Sequence, residues 1–202
     1  MKKILVVLSI LFFCGSVGAV NGAYGSGVEI GVKGGFIPDY NQPRLNLGNA
    51  EFENLNLVGG QFYISKLPVI DMIISADYGW NKDAVPVADE NFDLRFRDLT
   101  VAVSLVYPID LSFLRFYAGA GLGSHTLAFE YVRPEGLSLS ANGIEIPETS
   151  TYFGYQAIAG LRTNAKAGSF GLFAEVKFDR VNIPGDDIEY KTVSGGIFFS
   201  LP

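Results

Sequence analysis

The chain has one histidine, and the residues beside it carry the hydroxyl groups with which a histidine can perform hydrolytic chemistry. His125 lies between Ser124 and Thr126. A histidine that activates a serine must lie within hydrogen-bond reach of it. In an extended strand, successive side chains point to opposite faces, so both hydroxyls lie on the face away from His125. Neither is its natural partner, and Glu130 is too distant in sequence to be placed beside it.

The sequence contains no motif for metal or phosphate binding. One Cys and one His leave too few soft ligands for a zinc site, and there is no CxxC or HExxH motif. The segment Gly119-Ala120-Gly121-Leu122-Gly123 superficially resembles a dinucleotide-binding loop, but no helical pattern follows it. The sequence therefore predicts neither a metal centre nor a cofactor.

The charge balance is acidic, with 15 Lys and Arg against 21 Asp and Glu and a formal net charge of −6. Nucleic-acid binding needs grouped Lys and Arg, so we expect no nucleic-acid partner. Carboxylates cluster in two polar stretches: Asp89, Glu90 and Asp93 in one, Asp186, Asp187 and Glu189 in the other. Neither stretch has the glycine-punctuated spacing of a calcium loop. We expect them to form a solvated acidic rim.

Nine further charged residues alternate with apolar residues along the chain: Glu29, Lys33, Asp71, Asp77, Arg115, Arg162, Glu175, Lys177 and Asp179. In Phe170–Phe178, for example, Glu175 and Lys177 alternate with Ala174, Val176 and Phe178. A period of two indicates a strand whose two faces meet different surroundings. No window after the N-terminus has a convincing helical period or an apolar run near the ~20 residues that a membrane-spanning helix needs. The fold class is therefore all-β.

The same alternation predicts eight strands: Val28–Phe36, Val58–Ser65, Ile70–Trp80, Leu99–Tyr107, Leu114–Leu122, Phe153–Thr163, Phe170–Phe178 and Thr192–Leu201. Their connections alternate in length. Short turns occur at Lys66–Val69, Pro108–Phe113 and Asn164–Gly168, whereas longer polar stretches occupy Ile37–Leu57, Asn81–Phe96, Tyr131–Thr151 and Val181–Tyr190. Short turns on one rim and long loops on the other are typical of an antiparallel up-and-down transmembrane barrel, with both chain ends on the short-turn rim.

The charged face of these strands must point inward. A charged side chain turned toward the bilayer centre costs ~2–4 kcal/mol in a barrel. Nine of them would exceed the usual stability of a whole domain, ~5–15 kcal/mol. The apolar faces then meet lipid, and two aromatic girdles are predicted from Phe36, Tyr78, Trp80, Tyr107, Phe116, Phe178 and Phe199.

The barrel interior is expected to be filled rather than open, because eight strands enclose only enough space for side chains. Four inward cations can pair with five inward acids, and we interpret these charges as structural packing rather than a transport path. Arg162 is the expected partner of Glu175, since it lies on the neighbouring strand.

Residues 1–19 are predicted to be a cleaved secretory signal peptide. Met1-Lys2-Lys3 is followed by an apolar run from Ile4 to Cys14, and the small residues Val17 and Ala19 occupy the −3 and −1 positions. Cleavage after Ala23 is an alternative. Residues 24–202 then form a single barrel domain.

Three segments resemble the small OmpA/OmpX-like, porin-family barrels of bacterial outer membranes. They are Tyr117-Ala118-Gly119-Ala120-Gly121-Leu122-Gly123, then Phe153-Gly154-Tyr155-Gln156-Ala157, and Phe173-Ala174-Glu175-Val176-Lys177-Phe178. The resemblance implies a monomer in the outer membrane, in contact with its lipid and lipopolysaccharide, that is inserted by the barrel-insertion machinery. Because that family is functionally mixed, the resemblance indicates the fold better than the task.

We expect a role in envelope structure, or in surface interaction through four extracellular loops. Three alternatives remain. One is a narrow pore for small solutes, and another is a soluble barrel that binds a ligand inside, as lipocalins do. The third is a lipid A-modifying barrel enzyme, which would use His125 at the outer rim. We expect no enzymatic activity and regard His125 as a residue of the rim.

Overall fold

The computed structural model describes residues 27–40, 52–65, 69–87, 90–111, 113–132, 148–165, 168–185 and 187–202. The predicted signal peptide (1–19), Asp89 and Asp186 lie outside these residues. Eight strands follow in chain order: β1 (Val28–Tyr40), β2 (Phe52–Ile64), β3 (Asp71–Val87), β4 (Glu90–Asp110), β5 (Leu114–Val132), β6 (Ser150–Thr163), β7 (Phe170–Val181) and β8 (Ile188–Ser200).

Each strand pairs antiparallel with the next, and β8 returns to pair with β1, so the sheet closes into a barrel. The prediction of an all-β, eight-stranded, up-and-down antiparallel barrel is confirmed. Closure pairs both edges of every strand in the body of the barrel. Among the described residues, the loop-side ends of β3 and β5, beyond Trp80 and Leu127, pair with β4 alone. In the described residues no helix is long and apolar enough to cross a membrane.

Alternation along each strand sorts the side chains between the inside and the outside of the barrel. In β7, Phe173, Glu175 and Lys177 are buried, whereas Leu172 and Val176 are exposed. The charged faces are therefore inside, and the large apolar side chains lie on the outer wall.

The start of β1 and the end of β8 both lie on the short-turn rim. The Leu201 amide donates to the Val28 carbonyl at 3.0 Å, which joins the end of β8 to the start of β1. The β6–β7 turn contains Gly168, with a φ of 74° that favours glycine. Its amide donates to the Ser200 carbonyl at 2.8 Å.

The strands extend further toward the loop rim than the sequence predicts. The stretch Asn81–Phe96, expected to be a loop, is mostly a paired ladder that continues to Val87 opposite Glu90. Likewise β1 extends to Tyr40 and β5 to Val132, while β2, β6 and β8 begin earlier than expected. The apolar–polar alternation fades in these extensions because their outward residues are polar, such as Lys82 and Arg95. The pattern therefore marks the end of the apolar band rather than the end of the strand.

Gly119 allows β4 and β5 to approach closely. A Cβ atom built at this inward position would overlap the Leu105 carbonyl oxygen and lie 2.7 Å from the Cα of Val106. At Gly79, also inward, the nearest atoms would be 3.8 Å away, an ordinary contact. The two glycines thus differ in how much space surrounds them.

We predict that Gly119→Ala lowers the free energy of unfolding by ~1–3 kcal/mol, the usual cost of overpacking. The matched control Gly79→Ala should be neutral or slightly stabilising, because alanine restricts the unfolded chain. Urea unfolding of the detergent-folded barrel measures both. Equal stability of the two variants would contradict the close approach of β4 and β5.

Candidate functional site

The barrel interior is built in layers, and the layer nearest the short-turn rim is centred on Arg162. Its guanidinium lies between the rings of Tyr63 and Phe198, 3.7 and 4.2 Å from their centroids. The same group pairs with Glu29. Cation–π contacts of this kind are strongest where water is excluded. Arg162 therefore fills the lumen as well as carrying charge.

Arg115 and Asp71 complete this layer. Arg115 bonds to Asp110 at 2.6 Å and lies 3.5 Å from Asp71. The Tyr63 hydroxyl donates to Asp71 at 2.5 Å. A cavity of about 220 Å³ opens here toward the short-turn rim, with Glu29, Arg115 and Arg162 in its wall.

The middle layer is a chain of four buried charges, which we call the charge chain: Glu175, Lys33, Asp77 and Lys177. Lys33 Nζ lies 2.7 Å from Glu175 Oε1 and 3.0 Å from Asp77 Oδ1, and Asp77 also pairs with Lys177. The signs alternate along the chain, so every charge is adjacent to an opposite one. Such a network is tolerable in a low-dielectric interior because its members are paired.

Neutral donors complete the coordination of Glu175. The Tyr117 hydroxyl donates to Oε2 at 3.1 Å, and the Ser194 hydroxyl donates to Oε1 at 3.3 Å. Gly59 supplies the space for the chain, since a Cβ there would overlap Asp77 and lie 3.1 Å from Cε of Lys33. The buried ion pairs therefore require a glycine at position 59.

The expected pairing of Glu175 with Arg162 is wrong. Glu175 pairs with Lys33 on β1, and Arg162 pairs with Glu29 instead. Between β7 and β1, the inward positions of β8 include the small residues Ser194 and Gly196, which lie opposite Glu175 and Lys33 respectively. The two long side chains can therefore meet across β8.

The layer above the charge chain surrounds His125, which is 1% exposed. Its Nδ1 lies 3.0 Å from the Thr100 hydroxyl, 3.1 Å from the Tyr190 hydroxyl and 3.5 Å from Asp98 Oδ2. The Tyr190 hydroxyl donates to Asp98 at 3.1 Å. The expectation that His125 is a rim residue is wrong, because the barrel wall continues beyond it.

Sequence reasoning missed Asp98, Thr100 and Tyr190 as partners of His125. They lie on β4 and β8, and Asp98 falls one residue before the predicted start of its strand. Extending the period of two back from Thr100 would have placed Asp98 on the same inward face. Asp179 is also buried in the interior, and its Oδ1 has no hydrogen-bond partner among the described residues.

An apolar layer closes the lumen on the loop side. We call it the apolar plug, and its buried members are Ile37, Tyr40, Leu55, Leu57, Phe96, Leu127, Val181, Ile183, Ile188 and Tyr190. Tyr40 packs against both Phe96 and Tyr190, with ring centroids 4.7 and 5.0 Å away. The sequence predicts a polar inward face throughout, so this plug was missed. Near the loop rim the interior instead packs like the core of a soluble barrel.

The predicted girdle residues lie on the outer wall. Exposed side chains near the loop end include Phe36, Tyr78, Trp80 and Phe178, and those near the short-turn end include Tyr107 and Phe116. Phe199 is half-buried against Phe170, with centroids 5.0 Å apart. Two aromatic levels thus flank the apolar wall, and their contact with lipid stays a prediction.

The acidic residues of the loop rim are partly ion-paired. Asp93 bonds to Lys82 at 2.6 Å, while Asp187 and Glu189 lie 2.7 and 3.0 Å from Arg180. No group of three or more His, Cys, Asp or Glu suited to a metal ion occurs in the described part of the chain.

The sequence matches no protein-family model and no curated protein. The structure is similar to several solved barrels. Neisserial surface protein A (NspA) is 14% identical with a TM-score of 0.52, covering 86% of this chain and 96% of its own. Ail, the attachment invasion locus protein of Yersinia pestis, is 15% identical with a TM-score of 0.46, covering 85% and 96%. The N-terminal barrel domain of Pseudomonas aeruginosa OprF is 15% identical with a TM-score of 0.43, covering 85% and 96%.

The likeness to NspA shows that the chain has the fold of the small eight-stranded outer-membrane barrels, as the resemblance to OmpA/OmpX-like proteins implies. At this level of identity the likeness shows the fold alone. A shared fold does not determine the function, which depends on the residues of this chain.

We predict that Glu175→Gln destabilises the barrel by ~3–5 kcal/mol, because it leaves the buried Lys33 without its nearest carboxylate. Adding Lys33→Met should restore most of the loss, since Asp77 keeps Lys177 as its partner. The matched control, Glu175→Gln with Arg162→Gln, should restore nothing. Unfolding in detergent measures the cycle, and rescue by Arg162→Gln rather than Lys33→Met would contradict the observed pairing.

Proposed function

We propose that the protein is an outer-membrane barrel with a closed interior, which serves the envelope structurally and presents its loop rim for surface interaction. The observation that carries this proposal is the distribution of side chains, which is the reverse of that in a soluble protein. Paired charges fill the interior, while large apolar side chains cover the outside.

The outer wall exposes more apolar surface than is usual for a water-soluble protein. Exposed large apolar residues form a band around the barrel and include Val32, Leu105, Tyr107, Leu122, Phe153 and Leu172. Contiguous apolar surface of this extent marks contact with a membrane or a partner. A soluble ligand-binding barrel would need the opposite arrangement, with an apolar cavity and a polar wall. The burial pattern therefore supports the membrane-embedded alternative.

The filled lumen argues against the narrow-pore alternative. Along the axis, a solute would meet Arg162 held between two rings, then the charge chain, then the apolar plug. Each layer is packed from several strands. Passage would require breaking buried ion pairs and opening an apolar core, both of which are costly.

The loop rim favours surface interaction. Strand β4 has 21 residues, whereas β7 has 12. The outward apolar positions of β4 run from Leu99 to Ile109, so its first part, Glu90–Asp98, projects ~30 Å along the strand beyond the apolar band. Together with the neighbouring ends of β3 and β5, it forms a ribbon that stands above the membrane surface.

The structure gives no support to the lipid A-modifying alternative. The His125 ring lies inside the barrel beneath the apolar plug, away from the lipid-facing wall on which such a substrate would lie. Export through the signal peptide over residues 1–19, insertion by the barrel machinery, a monomeric state and contact with lipopolysaccharide complete the proposal.

We expect a protease site inserted between Val87 and Glu90 to be cleaved on intact cells, because the β3–β4 ribbon projects outward. The same site inserted in the Asn164–Gly168 turn should be cleaved only after the cells are opened. Immunoblotting of the outer-membrane fraction measures both. Cleavage of the turn variant on intact cells would contradict the orientation, and recovery of the chain in the soluble fraction would contradict the membrane location.

In planar bilayers we expect the folded protein to give no discrete conductance steps, because the four interior layers block the lumen. The control is a known porin reconstituted in the same membrane. Regular steps whose ion selectivity changes in the Lys33→Met, Glu175→Gln double variant would contradict a closed interior and favour the pore.

A further inference from the structure

A groove on the outer wall lies at the loop end of β2, β3 and β4. Its volume is about 460 Å³, and its wall includes Val58, Tyr78, Trp80, Lys82, Arg95 and Arg97. Tyr78 and Trp80 stack on each other, with centroids 5.7 Å apart and planes 25° apart. The groove therefore combines a flat aromatic floor with three cationic side chains.

The three cations are crowded by the strand register. Lys82 lies directly opposite Arg95, and Arg97 lies opposite Trp80. Like charges directly across a strand pair are destabilising. Lys82 bonds to Asp93 at 2.6 Å and Arg97 bonds to Glu130 at 2.7 Å.

Arg95 has no ion pair among the described residues, because Glu130, which lies opposite it on β5, bonds to Arg97 instead. Among the described side chains the groove thus keeps one positive charge in excess, and a bound anion would offset the repulsion between Arg95 and Lys82. A second outward cation of the same rim differs in this respect. Arg180 lies 2.7 and 3.0 Å from Asp187 and Glu189, so two carboxylates already surround it.

The position of the groove along the barrel axis follows from the outward residues of β3 and β4. On β4 the outward positions are apolar from Ile109 to Leu99, and the next two are Arg97 and Arg95. On β3 the aromatic pair is followed by Lys82. The cations therefore begin where the apolar band ends, at the level of lipid head groups if the barrel is embedded as proposed.

We propose that this groove binds a lipid whose head group carries a phosphate monoester, in the leaflet at the loop rim. Arg95 and Lys82 hold the phosphate, Arg97 flanks it, and the apolar part of the lipid lies on Trp80, Tyr78 and Val58. The inference rests on the proposed membrane location. Planar guanidinium groups suit phosphate oxygens, and aromatic rings suit the boundary between head groups and acyl chains.

Trp80 is the only tryptophan in the chain, so its fluorescence reports on the groove. The folded protein is reconstituted in phosphatidylcholine vesicles that contain a minor fraction of phosphatidic acid. Brominated acyl chains, which quench tryptophan on contact, are carried by the phosphatidic acid in one sample and by an equal fraction of the phosphatidylcholine in the other. Excess quenching by the phosphatidic acid measures its preference for the groove.

We expect phosphatidic acid to quench Trp80 more strongly than phosphatidylcholine, and Arg95→Gln to reduce that preference about fivefold, the usual share of one surface cation. Lys82→Gln should act similarly, which guards against a folding defect in either variant. The matched control Arg180→Gln removes a charge from the same rim and should leave the preference unchanged.

Three results would overturn the inference. Equal quenching by the two brominated lipids would remove the phosphate preference while leaving the membrane location intact. Quenching by neither would contradict the proposed membrane location and the lipid site with it. An unchanged preference in the Lys82→Gln, Arg95→Gln double variant would place the bound phosphate elsewhere on the barrel.

Discussion

The charge chain from Glu175 through Lys33 and Asp77 to Lys177 is the interaction on which the rest of the barrel depends. Four charges removed from water cost several kcal/mol each unless they are paired. Their pairing fixes which face of β1, β3 and β7 points inward, because a one-residue slip would turn the charges outward. The apolar residues that alternate with them must then form the outer wall. The inward glycines, such as Gly59, follow from the same requirement for space.

The composition of the layers on either side of the charge chain depends on their distance from the two rims. At the short-turn end, Arg162 still carries its charge but is held by two rings as well as by Glu29. At the loop end the interior becomes apolar, which is the arrangement expected where strands extend beyond the proposed membrane band. There the outside can be polar and the inside can pack as in a soluble protein. The plug around Phe96 and Leu127 is such a core.

The sequence was sufficient to predict the strand number, the antiparallel order and the inward face, because the period of two is strong wherever one face is apolar. It was insufficient for the upper parts of the strands, where outward Lys82 and Arg95 interrupt that pattern. The contacts of Glu175 with Lys33 and of His125 with Tyr190 were also beyond reach. Both partners lie on strands that are not adjacent in sequence, and which residues meet across a lumen depends on stagger and on small intervening residues such as Ser194. Asp98 and Thr100 lie on β4, next to the strand of His125, and a longer predicted β4 would have placed them beside it.

The outward cations that interrupt the apolar pattern, Lys82 and Arg95, also place positive charge at the edge of the apolar band. An apolar band alone would bind any acyl chain equally, and selectivity among lipids requires polar groups at the band's edge. In the described residues, that edge places Lys82 against Arg95 and leaves the latter without an ion pair, directly beside the stacked Tyr78 and Trp80. The protein itself does not offset the repulsion between Lys82 and Arg95. The simplest explanation for this arrangement is that a bound ligand neutralises the excess charge. The charge chain balances its two acids and two cations within the protein, whereas Arg95 on the outer wall is left to be balanced by its surroundings.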